Sequence, residues 1–249
     1  MPSRWWVPLP GVKPEYVKLH HLHAAISAWF DRTGAEHRSV TKPYALSPLS
    51  GEPGRIGIEV ATLTEEATRR LHEVTKQGRR IRLGNQIRHL DGARLLDSAS
   101  WEELSGRTRD TTWRLEFATP TTFRAGDRSS PLPHPVTILR TLGRAWDAWS
   151  PQPRARPEPQ WTPLWVSDLD LQSHVLEITT QARTTAEKLT VTVSGCTGSL
   201  TLRCDEPTVA AAAGPLLGLA AYSGVGSMTR KGLGVTRVTT SCDSPLEND

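Results

Sequence analysis

Two periodicities alternate along this chain. From Glu15 to Phe30 the apolar residues Leu19, Leu22, Ile26, Trp29 and Phe30 recur at helical spacing. They predict a helix that starts after Pro14, buries that stripe and ends at Gly34. Arg55 to Leu63 instead alternates as Ile56, Ile58 and Val60, the signature of a half-buried strand. Thr64, followed by Glu65 and Glu66, has the chemistry of an N-cap for a second helix running to about Lys76. Arg79 to Leu83 reads as a strand, and Trp5 to Leu9 as a short first strand that Pro8 and Pro10 make an edge strand or a poor one. Lys42 to Leu49 is extended, broken by Pro43 and Pro48, while Ala93 to Leu104 shows no clear period. The order is strand, helix, strand, strand, helix, strand, the split βαβ or ferredoxin-like arrangement.

The second half repeats the pattern. Trp113 to Thr119 alternates as a strand, and a loop rich in Pro, Gly and Ser follows, from Pro120 to Pro135. His134 to Trp149 is a helix with Val136, Leu139, Leu142, Gly143 and Trp146 on one face. A proline-rich connector, Pro151 to Pro163, leads to two alternating runs, Leu171 to Ala182 and Lys188 to Cys204, the latter bent at Gly195 and Gly198. Pro207 to Tyr222 is a helix rich in Ala and Leu, and Val235 to Thr240 is the last strand. The expectation is an α+β protein of two tandem ferredoxin-like (βαββαβ, RRM-like) domains, 1–108 and 109–249, each of ordinary domain size.

Charge adds a direction. Residues 1–150 carry 22 basic and 16 acidic groups, whereas 151–249 carry 8 and 10. The basic groups concentrate from Arg69 to Arg94, including Arg79, Arg80, Arg82 and Arg88. Such a stretch suits a polyanion through phosphate contacts, or else is a solvated helix face followed by a basic loop. Charged residues at 22% and apolar residues at 37% fit a folded globular chain. The N-terminus places Pro and Lys where a signal peptide needs an apolar run, and no stretch has the length of a membrane helix, so a cytoplasmic protein is expected with no membrane partner. Cys196, Cys204 and Cys242 form no CxxC, which argues for thiols in a reducing compartment, buried or half-buried, and against a disulfide framework or zinc knuckle.

The most distinctive segment is Gly224-Val225-Gly226-Ser227-Met228-Thr229-Arg230-Lys231-Gly232-Leu233-Gly234. It lacks the GxxxxGK[ST] of a P-loop. It is no dinucleotide fingerprint either, because Thr229 holds the place of the third glycine and the segment follows a helix instead of opening one. Glycines permit positive φ and close backbone approach, and Arg230 and Lys231 among them can pair with phosphates. The chain has no GxSxG, HExxH or RNP1 pattern. A hydrolase acting on small substrates therefore has little support.

In four places the chain resembles the CRISPR repeat endoribonucleases, the RAMP-type enzymes that process precursor CRISPR RNA. These are the loop Gly224 to Gly234, the Lys42-Pro43-Tyr44-Ala45-Leu46-Ser47 segment, Phe117 to Phe123, and Pro131-Leu132-Pro133 leading into a helix that ends near Trp146. They span nearly the whole chain in the family's order. The resemblance implies tandem ferredoxin-like domains and cleavage of repeat RNA without a metal or other cofactor. The 2′-hydroxyl attacks the adjacent phosphate, leaving a 2′,3′-cyclic phosphate and a 5′-hydroxyl. It also implies CRISPR repeat RNA as partner, with other effector subunits as further candidates and no DNA. The competing reading is a subunit of an effector complex that binds CRISPR RNA without cutting it.

That chemistry needs a base for the 2′-OH, an acid for the leaving 5′-oxygen and positive charge for the phosphorane. Histidine suits proton transfer because its unperturbed pKa is about 6.5. Of eight histidines, His37 lies just before the Lys42-Pro43-Tyr44 segment, where the family commonly has one; the resemblance implies proton transfer by His37 and charge stabilisation by Lys42. The rival cluster is His20, His23 and Ser27, which helical spacing puts on one face. His23 also borders the apolar stripe and suits a satisfied core histidine. With no carboxylate or thiol nearby in sequence, His20 and His23 predict no metal site. The expected RNA contacts are Gly224, Gly226, Arg230, Lys231, Gly232 and Gly234, with Arg79, Arg80, Arg82 and Arg88 as further candidates.

Overall fold

The computed structural model describes residues 1–154, 159–181 and 188–240. Cys242, Ala182 and the middle of the proline-rich connector lie outside the described residues.

The N-terminal half contains β1 (Ser3–Pro8), α1 (Leu19–Phe30), α2 (Gly34–Arg38), β2 (Tyr44–Leu46), β3 (Gly57–Thr62), α3 (Glu65–Thr75), β4 (Arg80–Leu83), β5 (Gln86–His89), β6 (Arg94–Ser98) and α4 (Trp101–Ser105). The sheet order is β2-β3-β1-β6, all antiparallel, the ferredoxin-like arrangement. Four local readings change. Strand β1, expected to be an edge strand or a poor one, lies inside the sheet and pairs with both β3 and β6. The first helix begins at Leu19, because Pro14–Tyr16 forms a 3-10 turn and Lys18 is extended. The strand at Arg80–Leu83 does not join the sheet: Gly84, at φ 64°, turns the chain back so that β4 pairs only with β5. The fourth sheet strand is β6, from the stretch without a clear period.

The C-terminal half contains β7 (Thr112–Thr121), β8 (Phe123–Ala125), β9 (Arg128–Ser130), α5 (Pro135–Trp149), β10 (Leu164–Gln181), β11 (Lys188–Cys204), α6 (Pro207–Ser223) and β12 (Thr236–Thr240). Its sheet order, β10-β11-β7-β12, repeats the first topology. Strand β10 starts at Leu164, earlier than the alternation suggests, because a register shift between Val166 and Asp168 interrupts the period of two. Where β11 pairs with β7 the register also shifts, between Cys196 and Gly198, and Gly198 takes φ 114°. Beyond that shift β10 and β11 continue as a two-stranded arm. Its Ile178 and Val193 pack with Leu233 of the second half and with Leu19 of the N-terminal half.

One core cluster lies under each sheet. The first holds Val7, Leu22, Ile26, Phe30, Ile58 and Leu71; the second holds Trp113, Leu115, Phe117, Leu139, Leu142 and Leu200. Ala99, Trp101 and Leu104 pack into the second core, with Trp101 edge-on to Trp146 at 5.2 Å. Cys196 and Cys204 are buried there; burial pushes the Cys196 thiol up to about 11.

Helix α6 joins the halves. It is apolar on all sides, with ten buried residues, and such a helix must be covered all round. One side meets the second core, and its end at Ala221 and Tyr222 meets Ala45, Glu59 and Ala61 of the first sheet. Charged contacts ring this junction. Arg237 grips Glu59 at 3.0 and 2.5 Å, Arg4 reaches Glu59 at 3.4 Å and Asp97 at 3.2 Å, and the Tyr222 hydroxyl donates to Asp97 at 3.1 Å. The first sheet's open face is thereby covered by protein.

Gly214 in α6 lies against the chain entering the second half; a Cβ there would stand 1.9 Å from the Arg107 carbonyl oxygen. Gly214→Ala is expected to cost about 1–3 kcal/mol by overpacking, lowering Tm by roughly 3–10 °C. A thermal melt unchanged by this substitution would show that the approach is not required.

Candidate active site

A cleft of about 830 Å³ opens between the halves. Helix α1, helix α2 and the chain up to β2 form one wall. The other wall is formed by β8, one face of α5 and the glycine-rich loop after α6.

Helix α2 is local in origin. Thr33 is its N-cap: Glu36 N–H donates to the Thr33 hydroxyl at 3.1 Å, and the Glu36 carboxylate accepts from Thr33 N–H at 2.8 Å and Arg32 N–H at 2.7 Å. The bond from Arg70, helped by these backbone donors, holds the Glu36 carboxyl at about 2. The segment after the first helix is therefore a short capped helix, and it carries His37 and Arg38 to the cleft. The His37 side chain is 61% exposed, with Nδ1 3.2 Å from Asp31 Oδ2.

Lys42 behaves differently from a free phosphate ligand. Its ammonium is buried, 2.7 Å from Asp31 Oδ2, and it also donates to the Glu36 carbonyl. A lysine brought this far from water takes the nearest carboxylate, so its charge is directed at Asp31. Tyr44 stacks on Phe30 at 4.3 Å, and its hydroxyl is buried near Asp31. Burial first, and then the charge of Asp31, drive its ionisation far above the usual tyrosine range.

His23 faces the loop. Its Nδ1 lies 2.9 Å from the carbonyl oxygen of Arg230. A carbonyl only accepts, so Nδ1 carries the hydrogen and the neutral ring keeps its lone pair on Nε2. Burial is the largest cause holding the His23 pKa below 6.5; the bond to Arg230 opposes it, and Lys231, Arg230 and His37 add repulsion. Burial, and then Arg230, likewise lower the pKa of Lys231.

The glycine-rich loop is shaped by backbone contacts. Gly224, Gly226, Gly232 and Gly234 all have positive φ, as does Met228 at 66°. A Cβ on Gly226 would stand 2.4 Å from the Thr122 carbonyl oxygen, and one on Gly234 2.1 Å from that of Val225. These glycines let the chain lie against itself and against its seat. Ser227 N–H donates to Thr122 O at 2.8 Å, Gly234 N–H to Pro120 O at 3.1 Å and Val235 N–H to the Thr119 hydroxyl at 3.0 Å. Gly232 abuts Pro48. Two of the segments singled out by sequence thus converge on a third, the loop.

The structure brings His23, His37, Lys42, Gly224, Gly226, Arg230 and Lys231 to the cleft, while Gly232 and Gly234 lie behind it. It does not bring His20 or Ser27 there. Ser27 is buried and donates to Ala24 O at 3.3 Å, and His20 lies edge-on to His21 at 4.2 Å. Arg79, Arg80 and Arg82 are exposed around the β4–β5 hairpin, outside the cleft. Arg88 of the same hairpin is tied to Gly11 O at 2.8 Å and Gln86 Oε1 at 3.0 Å. The basic charge of α3 is spent locally, since Arg69 pairs with Glu66 and Glu73, and Arg70 with Glu66 and Glu36. The cleft instead gains Asp31, Arg38, Arg124, Arg140 and Arg144, none of which sequence reading selected. Arg140 and Arg144, spaced i,i+4 opposite the buried stripe of α5, were the available signal. Among the described residues no three His, Cys, Asp or Glu side chains are placed to share a metal ion, and no helix is long and apolar enough to cross a membrane.

Residues 115–236 match the family model of the CRISPR-associated endoribonuclease Cas6. That match, just under half of the chain, makes the protein similar to the CRISPR repeat endoribonuclease family. It superposes on a Thermus thermophilus Cas6 product complex with a TM-score of 0.76 and 27% identity, over 96% of this chain and 99% of that one. A further Thermus thermophilus Cas6 structure gives 0.68 and 25%, over 96% and 98%. A more distant RAMP protein, described as binding different RNA substrates, gives 0.52 and 11%, over 95% and 99%, and so bears on the fold alone. No curated protein sequence matches the chain. The Cas6 match covers the glycine-rich loop, its seat and α5; His23, His37 and Lys42 lie outside it.

The depressed pKa of His23 has a consequence for stability. Above pH 6.5 the ring is neutral whether the chain is folded or not. As pH falls through 6.5 the unfolded chain takes up the proton first, so stability falls, and the fall levels off once the folded ring also protonates. In an NMR titration His23 is expected to titrate below 6.5. A midpoint at or above that value would contradict the burial and charge described.

Proposed function

We propose that this protein, like the Cas6 enzymes it resembles, cuts CRISPR repeat RNA without a metal, leaving a 2′,3′-cyclic phosphate and a 5′-hydroxyl. The observation that carries the reading is the pair His23 and His37 on the wall of a cleft lined by Arg38, Arg124, Arg140, Arg144, Arg230 and Lys231. The match of residues 115–236 to the model of a CRISPR-associated endoribonuclease family supports it. So does the likeness to the 27%-identical Cas6, whose structure is that of a product complex.

In this mechanism Nε2 of His23, neutral and carrying a lone pair, takes the proton of the 2′-hydroxyl. The 2′-oxygen bonds to phosphorus as the P–O5′ bond breaks, and protonated His37 delivers its Nε2 proton to the departing 5′-oxygen. Arg230 and Lys231, beside His23, balance the charge of the phosphorane. The arginines of α5 and β8 hold the flanking phosphates. Lys42 acts through Asp31, to which its ammonium is bound.

The decisive assay is end-labelled repeat RNA incubated with the protein in excess chelator, beside the same RNA with a 2′-deoxy sugar before the cut. One chelator-resistant cut is expected, lost with the deoxy sugar. His37→Ala and His23→Ala should each slow it by roughly 10²- to 10⁴-fold. Retained binding with no cut by the unsubstituted protein would favour the non-cleaving subunit and sink the enzyme reading.

Arg140→Ala and Arg144→Ala should each weaken RNA binding at all sequences alike. Each should reduce the slope of log K against log salt by roughly 0.7, the loss of one phosphate contact to a single strand. An unchanged slope in both would remove α5 from the RNA path.

A further inference from the structure

We propose that Asp31 is a positioning residue for the reaction, fixing which nitrogen of His37 faces the substrate; the inference rests on the reading of His37 as the proton carrier. Asp31 is the C-cap of α1, directly after Phe30 of the buried stripe, and its side chain is only 5% exposed. Oδ2 accepts from Lys42 Nζ at 2.7 Å and lies 3.2 Å from His37 Nδ1. Lys42, itself 3% exposed, supplies the countercharge that a carboxylate needs so far from water. An ionised carboxylate offers no hydrogen, so Nδ1 of His37 is the donor and Nε2 is the nitrogen on the far edge of the ring. The other charged or titratable groups around that ring are Glu36 and Arg38 on α2, His23 on α1, and Arg230 and Lys231 on the loop. Among the described residues, Asp31 is the carboxylate paired with His37.

The consequence is a ring that needs no turn between cycles. When His37 gives its Nε2 proton to the 5′-oxygen, the hydrogen left on the ring sits on Nδ1, where Asp31 already accepts it. Asp31 stays ionised and takes no proton. Nε2 is left with a lone pair facing the cleft, ready for the next proton from solvent. A simple ion pair stapling α1 to the following loop would need Lys42 and Asp31 alone. The approach of His37 Nδ1 to the same oxygen is what such a staple leaves unexplained.

The test combines two measurements on the full chain. Long-range ¹H–¹⁵N spectra of His37, at a pH where the ring is neutral, are expected to show the Nδ1–H tautomer. Single-turnover cleavage of repeat RNA is then compared for the unsubstituted protein, Asp31→Asn, His37→Ala and the double variant. Asp31→Asn should cut at least roughly 10²-fold more slowly, as expected when a histidine loses the carboxylate that sets its tautomer, with RNA affinity held within about twofold. Added to His37→Ala it should slow the reaction no further, since both changes remove one unit.

An Nε2–H tautomer in the unsubstituted protein overturns the proposal even where Asp31→Asn fails to fold. So does an Asp31→Asn protein that cuts within about threefold of the unsubstituted rate, or one that slows His37→Ala by its full factor, the mark of a purely structural role. Those results leave the endoribonuclease reading standing if His37→Ala is impaired. A protein that does not cut at all overturns that reading and the role of Asp31 with it.

Discussion

Helix α6 is the element on which the rest depends, because it is buried against two sheets at once. A helix apolar on every side is unstable until all of it is covered, and neither half covers it alone. The small residues Ala213, Gly214 and Gly218 let the chain entering the second half and the second sheet approach its axis. The far end, at Ala221 and Tyr222, seats the first sheet. Two ferredoxin-like units thus share one buried helix, and the face that an isolated unit of this kind would leave open is spent on the junction. What remains accessible is the groove beside the junction, where α6 ends and the glycine-rich loop begins.

The groups in that groove are fixed more by backbone than by one another. His23 is set by the Arg230 carbonyl, the loop by the carbonyls of Pro120 and Thr122, and α2 by the Thr33 cap. Each of these anchors comes from a different segment. Arg230 also reaches the carbonyl of Ser39 at 3.4 Å, so the loop touches both histidine-bearing pieces of the opposite wall. The β10–β11 arm adds a second tie, seating Leu233 at the end of the loop against Ile178 and Val193, with Leu19 of α1 packed on them.

Much of this was legible before any coordinates. The order of the second half follows from elements whose periods are plain in residues such as Leu139, Leu142 and Trp146, and part of the first from Ile58 and Val60; β6 comes from a stretch without a clear period. Local chemistry competed with period where the reading slipped. Gly84 folds Arg80–Leu83 into a private hairpin, and the register shift after Val166 hides the first turn of alternation in β10. The Thr33–Glu36 capping box was written in the chain but sits behind a glycine that reads as a stop. Site residues were legible where one segment carries them, as in the loop and the His37–Lys42 stretch. They were hidden where two halves meet. Arg140 and Arg144 look like an ordinary solvated face until α2 stands opposite, and only three dimensions turn Lys42 inward to Asp31.

The placement of His23 beside Arg230 and Lys231 carries a reciprocity. Part of what keeps the ring neutral is repulsion from those two cations. An anion lodged against them cancels some of that repulsion, so it makes the ring a better proton acceptor at the moment it arrives. By the symmetry of linked equilibria, a proton on His23 must tighten the hold on that anion by the same factor. Burial is the largest cause of the depression, and an anion at Arg230 and Lys231 relieves the smaller, electrostatic share of it.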